Sequence, residues 1–486
     1  MERFIGLIGI VLILGIAFLF SNNKKRINLR LVVSGLILQI AIAVLVLKVP
    51  PVQRFFQGLG RGMQHIEAFA KEGAGFVYGG ISVENEVYNA RVLRMDTLRG
   101  ENNQMTITHT VVQGSVKDSL LQPLKFIPDN EKVARRYDLV TRHEKTQQVE
   151  GTSQIFFVQG VPKVKSDFAR SGFVFAFNIT ATIILVCILV AVLYYIGLMQ
   201  RIVSVIARAM NFVMRVSGAE ALSNVASAFV GQVEAQVMIR PYLKGMTKSE
   251  LLASMSGSLA CIAGGILVVY TTMGAKAEYL IAASLMAAPG ALIISKIVFP
   301  ETEESQTMGK VKLEVKREHV NLIDAISHGA TDGFKISMNV IAMLIGFLAL
   351  IAMINWIFGL IYPGLTLDAI FAKIFYPMAW SMGVPGPDVN NVATLLGQKL
   401  TINEFVAFKN LTSNATTIPV VSEKARLIAS IAICGFANFS SVGMQIGGIS
   451  ALAPERRMDL AKLGMKALLC GTLASYLSAT IAGILM

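Results

Sequence analysis

Two carboxylates stand in segments that are otherwise apolar, and they are the residues best placed to do chemistry. Glu234 lies in Ala-Phe-Val-Gly-Gln-Val-Glu-Ala (228–235), and Glu404 in Leu-Thr-Ile-Asn-Glu-Phe-Val-Ala-Phe (400–408). An acid in such surroundings costs on the order of several kcal/mol unless paired or hydrated, so it marks a functional site. Each has an amide beside it, Gln232 and Asn403, and the two segments read as arms of one polar site inside a membrane. Bond-making chemistry has no support. There is no HExxH zinc helix, no GxSxG elbow and no Walker loop. His65, His109, His143, His319 and His328 show no ligand spacing and read as surface residues. The cysteines (Cys187, Cys261, Cys434, Cys470) fall in apolar segments without a CxxC pair, which implies neither a disulfide framework nor zinc. No catalytic and no metal-ligating residue is expected.

The elements that must position the two acids follow from composition. Of the residues, 54% are hydrophobic and 15% charged, and mean hydropathy is +0.59. That balance describes a polytopic membrane protein. Apolar runs at 3–20, 31–49, 172–198, 250–273, 278–298, 336–361, 425–449 and 463–485 approach the ~20 residues that span a bilayer as a helix. Charge follows the first run, at Asn22-Asn23-Lys24-Lys25-Arg26. A cleaved signal peptide carries it before the run, so the first span is expected to be retained. The net charge of +13 sits largely in short loops between spans. That distribution marks the cytoplasmic side and argues against a nucleic-acid partner. Eight spans then place both termini outside.

Residues 218–246 and 366–411 are too broken by Gly, Pro and polar groups to span. Turn signals stand at Gly231-Gln232 and at Gly383-Val384-Pro385-Gly386-Pro387-Asp388. Irregular backbone at membrane depth is tolerated only where it lines a cavity or is buried in protein. Both are therefore expected to be re-entrant hairpins, the first entering from the cytoplasm and the second from outside. Each precedes two spans, the pattern of an inverted repeat with its ligand near the midplane. The fold class expected is an all-α polytopic membrane protein with about eight transmembrane helices and two re-entrant hairpins. Residues 1–80, 171–217 and 299–361 would be scaffold and connecting segments. Residues 218–298 and 362–486 would be the two repeats of a moving domain. An amphipathic stretch at 51–75 is expected to lie in the interface. Residues 81–170 are more charged and partly β-branched, and are expected to form a small β-containing extracytoplasmic insertion.

The motifs carry a resemblance. Gly-Gln-Val-Glu-Ala (231–235), Ile-Arg-Pro-Tyr-Leu (239–243), Phe-Pro-Glu-Thr-Glu (299–303) and Asn-Glu-Phe-Val-Ala (403–407) stand in order. They are followed by Cys-Gly-Phe-Ala-Asn-Phe-Ser-Ser (434–441), Gln-Ile-Gly-Gly-Ile (445–449), Ala-Leu-Ala-Pro-Glu-Arg-Arg (451–457) and Asp-Leu-Ala-Lys-Leu-Gly (459–464). The set resembles the concentrative nucleoside transporters over nearly all of the chain outside 81–170. The resemblance implies a homotrimer in the cytoplasmic (inner) membrane that imports nucleoside with a cation. It implies that Gln232, Val233 and Glu234 face the base and that Glu404, Asn438 and Ser441 hold the ribose. Phe436 would pack on the ligand and Ile266 would line the site. The chemistry suits these roles. An ionised carboxylate only accepts hydrogen bonds and has room for two vicinal hydroxyls, while an amide matches the mixed edge of a nucleobase.

Two departures bear on function. The family usually has Thr or Ser where this chain has Val233, which removes a hydroxyl near the base. Sodium-coupled members carry an Asn and a Ser where this chain has Ser227 and Cys261. A hard cation is served by oxygen, and a neutral thiol is a poor ligand for it. The cation-site region of Ser227, Val230, Cys261 and Ile262 thus retains backbone carbonyls and one hydroxyl. Proton coupling is expected, with either acid a candidate carrier; no cofactor is expected. Sodium coupling, a modified nucleoside or nucleobase as substrate, and a receptor that uses 81–170 for recognition are the alternatives.

Overall fold

A computed structural model of the chain describes residues 2–78, 89–99, 105–113, 122–123, 133–142, 149–158, 161–165, 175–308, 320–412, 419–420 and 422–486. It separates into two compact units, Ala68–Ala181, and Met1–Glu67 together with Thr182–Met486. In the smaller unit, strands β1 (Asn89–Arg99), β2 (Met105–Gln113), β3 (Gln122–Pro123), β4 (Val133–Arg142), β5 (Val149–Val158) and β6 (Val161–Lys165) form one sheet. Their order is β3-β1-β2-β4-β5-β6. Only β2 and β4 pair in parallel, because the chain crosses to the far edge as β3 before returning as β4. Of the β-branched segments at 104–112 and 154–158, residues 105–112 fall on β2 and 154–158 on β5, where a pleated surface accommodates them; residue 104 lies outside the described residues.

In the larger unit, Leu29–Lys48, Ala277–Val298 and Pro454–Leu485 are long and apolar enough to cross a membrane unaided. Helix Thr180–Tyr195 meets Leu198–Met214 at 75°, where Gly197 takes φ +76. Helix Leu322–Ile361 runs 40 residues and overreaches the expected 336–361. The amphipathic stretch forms Pro50–Tyr78.

Two expected spans are not continuous helices. The run at 250–273 divides into Lys248–Ala260 and Gly264–Thr272, and the run at 425–449 into Glu423–Ile433 and Phe439–Leu452. Hydropathy averaged over ~19 residues passes over so short a break. The backbone groups freed at the breaks find partners elsewhere, as an apolar surrounding demands. Phe436 N–H donates to the Cys261 carbonyl at 3.3 Å, and Gly264 N–H to the Phe229 carbonyl at 3.1 Å. The breaks therefore lean on one another and on the first hairpin.

That hairpin comprises Gly218–Ser227 and Glu234–Met238, with Gly231 at φ +125 in its turn. The second is displaced from its expected position. Its arms are Val389–Thr401 and Glu404–Thr412, joined at Ile402-Asn403. The turn at Gly383–Asp388 lies earlier, after helix Leu367–Ser381. Gly and Pro mark that earlier turn strongly, whereas Ile-Asn between two helices carries no such signal.

The first hairpin is tied inside by a buried polar network. Gln236 donates to Ser258 (2.8 Å) and Ser223 (3.2 Å) and accepts from Ser254 (2.7 Å). At its base, buried Lys296 pairs with Glu220 (2.8 Å) and Glu301 (3.2 Å) and donates to Ser249 (3.0 Å). The Phe-Pro-Glu-Thr-Glu motif supplies Glu301 to this cluster. Removing one partner of a buried pair strands the other charge, which costs about 3–5 kcal/mol. Lys296→Met is accordingly expected to lower the melting temperature in detergent well below that of the parent. An unchanged melting curve would show the cluster to be stabilising nothing.

Candidate functional site

The hairpin turns and helix breaks meet at one place because each is irregular backbone needing partners. They border a cavity of about 1730 Å³. Ligand pockets commonly occupy about 300–1,000 Å³, so this cavity exceeds what a single small ligand fills. Its wall includes Gln232, Val233, Glu234 and Ile266 from the first half of the unit. From the second half come Glu404, Phe436, Asn438 and Ser441. All eight residues expected to contact substrate thus share one cavity.

Glu404 is 7% exposed and opens helix Glu404–Thr412. Its Oε1 accepts from the Tyr270 hydroxyl at 3.1 Å and its Oε2 from Asn438 Nδ2 at 2.9 Å. Tyr270 is itself stacked on Phe408, with centroids 4.3 Å apart. Asn438 has a second task as the cap of helix Phe439–Leu452, where its Oδ1 accepts from Ser441 N–H at 2.8 Å and Ser440 Oγ at 2.9 Å. The cap holds the amide at one angle, so the Asn438 donor is aimed at Glu404 before any ligand arrives.

Glu234 lines the cavity, and its accessible surface opens into it. Its carboxylate folds over Gly231, where an added Cβ would stand 2.5 Å from Oε2. Glycine is favoured there by conformation, at φ +125, whereas the carboxylate is the free end of a flexible side chain that can swing aside. The Gln232 Oε1 is enclosed and has no hydrogen-bond partner, an acceptor set beside the cavity for an outside donor. The Val233 methyls face helix Phe439–Leu452, 2.8 Å from where a Cβ on Gly448 would stand. Asn403, read as a second arm's amide, instead uses its Oδ1 to cap its own helix at Val406 N–H, 2.9 Å away.

The four cation-site candidates are not brought together as side chains. The Ser227 hydroxyl donates to the Ser223 carbonyl at 2.8 Å and lies 2.8 Å from Ser258 Oγ. The Cys261 thiol points to the Ser284 carbonyl, 3.9 Å away. Val230 lines the cavity, and Ile262 is buried.

The chain matches family models described as Na+ dependent nucleoside transporter N-terminus (residues 8–81), Nucleoside recognition (176–277) and Na+ dependent nucleoside transporter C-terminus (279–483). The nucleoside permease NupC of Helicobacter pylori is 32% identical over 98% of this chain and 96% of its own. The chain belongs to the concentrative nucleoside transporter family. The uncharacterized transporter YutK of Bacillus subtilis is 34% identical over 98% of both chains. The solved structure of CNTnw in an inward-facing substrate-bound state matches at TM-score 0.77, with 34% identity over 100% of this chain and 98% of that one. As a member of this family the protein is a multi-pass, mainly α-helical membrane transporter and not an enzyme.

This nucleoside transporter carries site residues that motif reading alone does not supply. Tyr270 stands in an apolar run where an aromatic reads as packing. His328 and Asp332, 3.4 Å apart, lie on helix Leu322–Ile361 and line the cavity, although His328 reads as a surface residue beside a loop. Arg456, from the Ala-Pro-Glu-Arg-Arg motif, donates to the carbonyls of Leu243 (3.3 Å), Lys244 (3.0 Å) and Met246 (2.6 Å). It thereby fastens the end of the first hairpin to the second half of the unit.

Proposed function

We propose that the protein imports nucleosides across the cytoplasmic (inner) membrane by proton symport, as a homotrimer with both termini outside. The observation that carries this reading is the Glu404 carboxylate, held by Tyr270 and Asn438 at the wall of the cavity. Glu404 and Asn438, with Ser441, take the vicinal hydroxyls of the ribose. Gln232 and Glu234 meet the base, with Val233 beside them, and Phe436 and Ile266 supply apolar contact. A buried polar ligand needs every group matched, since each unmatched one costs about 1–3 kcal/mol. An acceptor-rich side and an amide-bearing side meet that need. Arg201, Arg208, Arg240 and Lys244 also line the cavity. Basic residues concentrate on the cytoplasmic side, which supports a cavity open to the cytoplasm.

Proton coupling is supported by the fates of Ser227 and Cys261, whose side chains are directed to Ser223, Ser258 and Ser284 and not to a common centre. Sodium is the second reading, favoured by relatives such as sodium/nucleoside cotransporter 2 of Rattus norvegicus. That protein is 41% identical over 69% of this chain and 52% of its own. Uridine uptake into proteoliposomes separates the two. Uptake driven by an inward proton gradient and indifferent to sodium is the expected result. Uptake that follows sodium at constant pH would overturn proton coupling, and no accumulation under either gradient would overturn symport.

A further inference from the structure

One charged group near the site has no hydrogen-bonding task. Lys399, on helix Val389–Thr401, is 0% exposed, and its Nζ has no hydrogen-bond partner. The ammonium lies 5.8 Å from the ring centroid of Tyr476, a contact that softens a buried cation without replacing an acceptor. A fully buried ammonium of this kind is costly, and an apolar side chain of similar length would fit the interior better. The nearest acid along the chain is Glu404, which opens the following helix across the hairpin turn, and its charge acts on the ammonium. Tyr270 approaches Glu404 through its hydroxyl.

We propose that Lys399 is the resident counter-ion of Glu404, a positioning residue that keeps the carboxylate charged and ready for ribose while leaving its oxygens free. This rests on the reading of Glu404 as the ribose-holding group. The geometry gives the reason for the separation. The carboxylate has about four lone-pair sites, and Tyr270 and Asn438 already occupy one on each oxygen. A lysine bonded directly to Glu404 would take a site that a ribose hydroxyl needs. An unbonded lysine compensates the charge through space, where low polarisability lets the attraction reach beyond hydrogen-bond distance. The lysine is thus held for function against stability.

The test uses full-length Lys399→Met, Lys399→Arg and Glu404→Gln proteins. Each is assayed for melting temperature in detergent and for uptake of uridine and of 2′,3′-dideoxyuridine. Lys399→Met is expected to stay folded with a single melting transition near that of the parent, because the ammonium it removes makes no hydrogen bond. Its KM for uridine should rise at least about tenfold, and its preference for uridine over the dideoxy compound should collapse toward that of Glu404→Gln. Lys399→Arg should recover part of that preference. A Lys399→Met protein that melts lower and transports both compounds proportionately less well would make Lys399 structural and overturn the inference. Preserved preference in Lys399→Met alongside lost preference in Glu404→Gln would overturn this inference alone. Preserved preference in Glu404→Gln would remove the ribose reading and this inference with it.

Discussion

Replacing Glu404 with alanine is expected to lower kcat/KM for uridine uptake by about 10²-fold or more. Hydrogen bonds to a charged acceptor contribute about 1.5–3 kcal/mol each, and the carboxylate offers two to the vicinal hydroxyls. The loss does not stop at the ligand. Tyr270 donates to Oε1 at 3.1 Å and Asn438 to Oε2 at 2.9 Å, and Asn438 is 1% exposed. With the carboxylate gone, both donors lose their acceptor, and ligand entry must then desolvate groups that nothing in the protein matches. The effect should be concentrated in binding, so isothermal titration with uridine should show it in the absence of any gradient. A Glu404→Ala protein that binds uridine with parental affinity would place the ribose elsewhere.

Gly435→Ala is expected to disable the transporter through its backbone. Gly435 holds φ +117, a conformation that costs an L-residue on the order of 1–3 kcal/mol. An added Cβ would also collide with the Ala260 carbonyl, standing 2.8 Å from its carbon and 3.1 Å from the Leu259 oxygen. These neighbours are backbone atoms, so no side chain can swing away. Relief would require the two helix breaks to part, which would lengthen the Phe436–Cys261 hydrogen bond and move Phe436 and Asn438 at the cavity wall. Both melting temperature and uptake should fall together. Gly443→Ala is the control, because nothing lies within 4 Å of its would-be Cβ and alanine suits a helix better than glycine. Equal behaviour of the two variants would show that the close approach at Gly435 is not structurally important.

What could be read from the chain, and what could not, divides along physical lines. Glu404 and Gln232 are legible because polar groups are costly in apolar segments and stand out against them, whereas Asn438 and Ser441 are reached only through the motifs that carry the family resemblance. Tyr270 is illegible because its hydroxyl partner lies 134 residues away and an aromatic in an apolar run looks like packing. Lys399 is hidden by the same remoteness, since a lone lysine three residues before Ile-Asn reads as a helix end. The two broken helices resemble spans because their breaks are short and built from small or apolar residues such as Cys261, Ala263 and Cys434. The second hairpin is displaced for a different reason. Proline and glycine advertise the turn at Gly383–Asp388, while the turn at Ile402-Asn403 depends on Asn403 capping the next helix.

The crossing of the two helix breaks has a consequence for how work is divided during transport. Cys261 and Phe436 are joined through their backbones, and Gly435 leaves no slack between them. Contacts to a nucleoside made from both halves are therefore fastened to each other before they are fastened to anything that moves. On the proposed reading of the site, a ligand held there is gripped by residues of both halves that are joined to one another. If symport is the mechanism, as proposed above, direction follows the gradient of the accompanying ion, and reversing that gradient should reverse nucleoside flux.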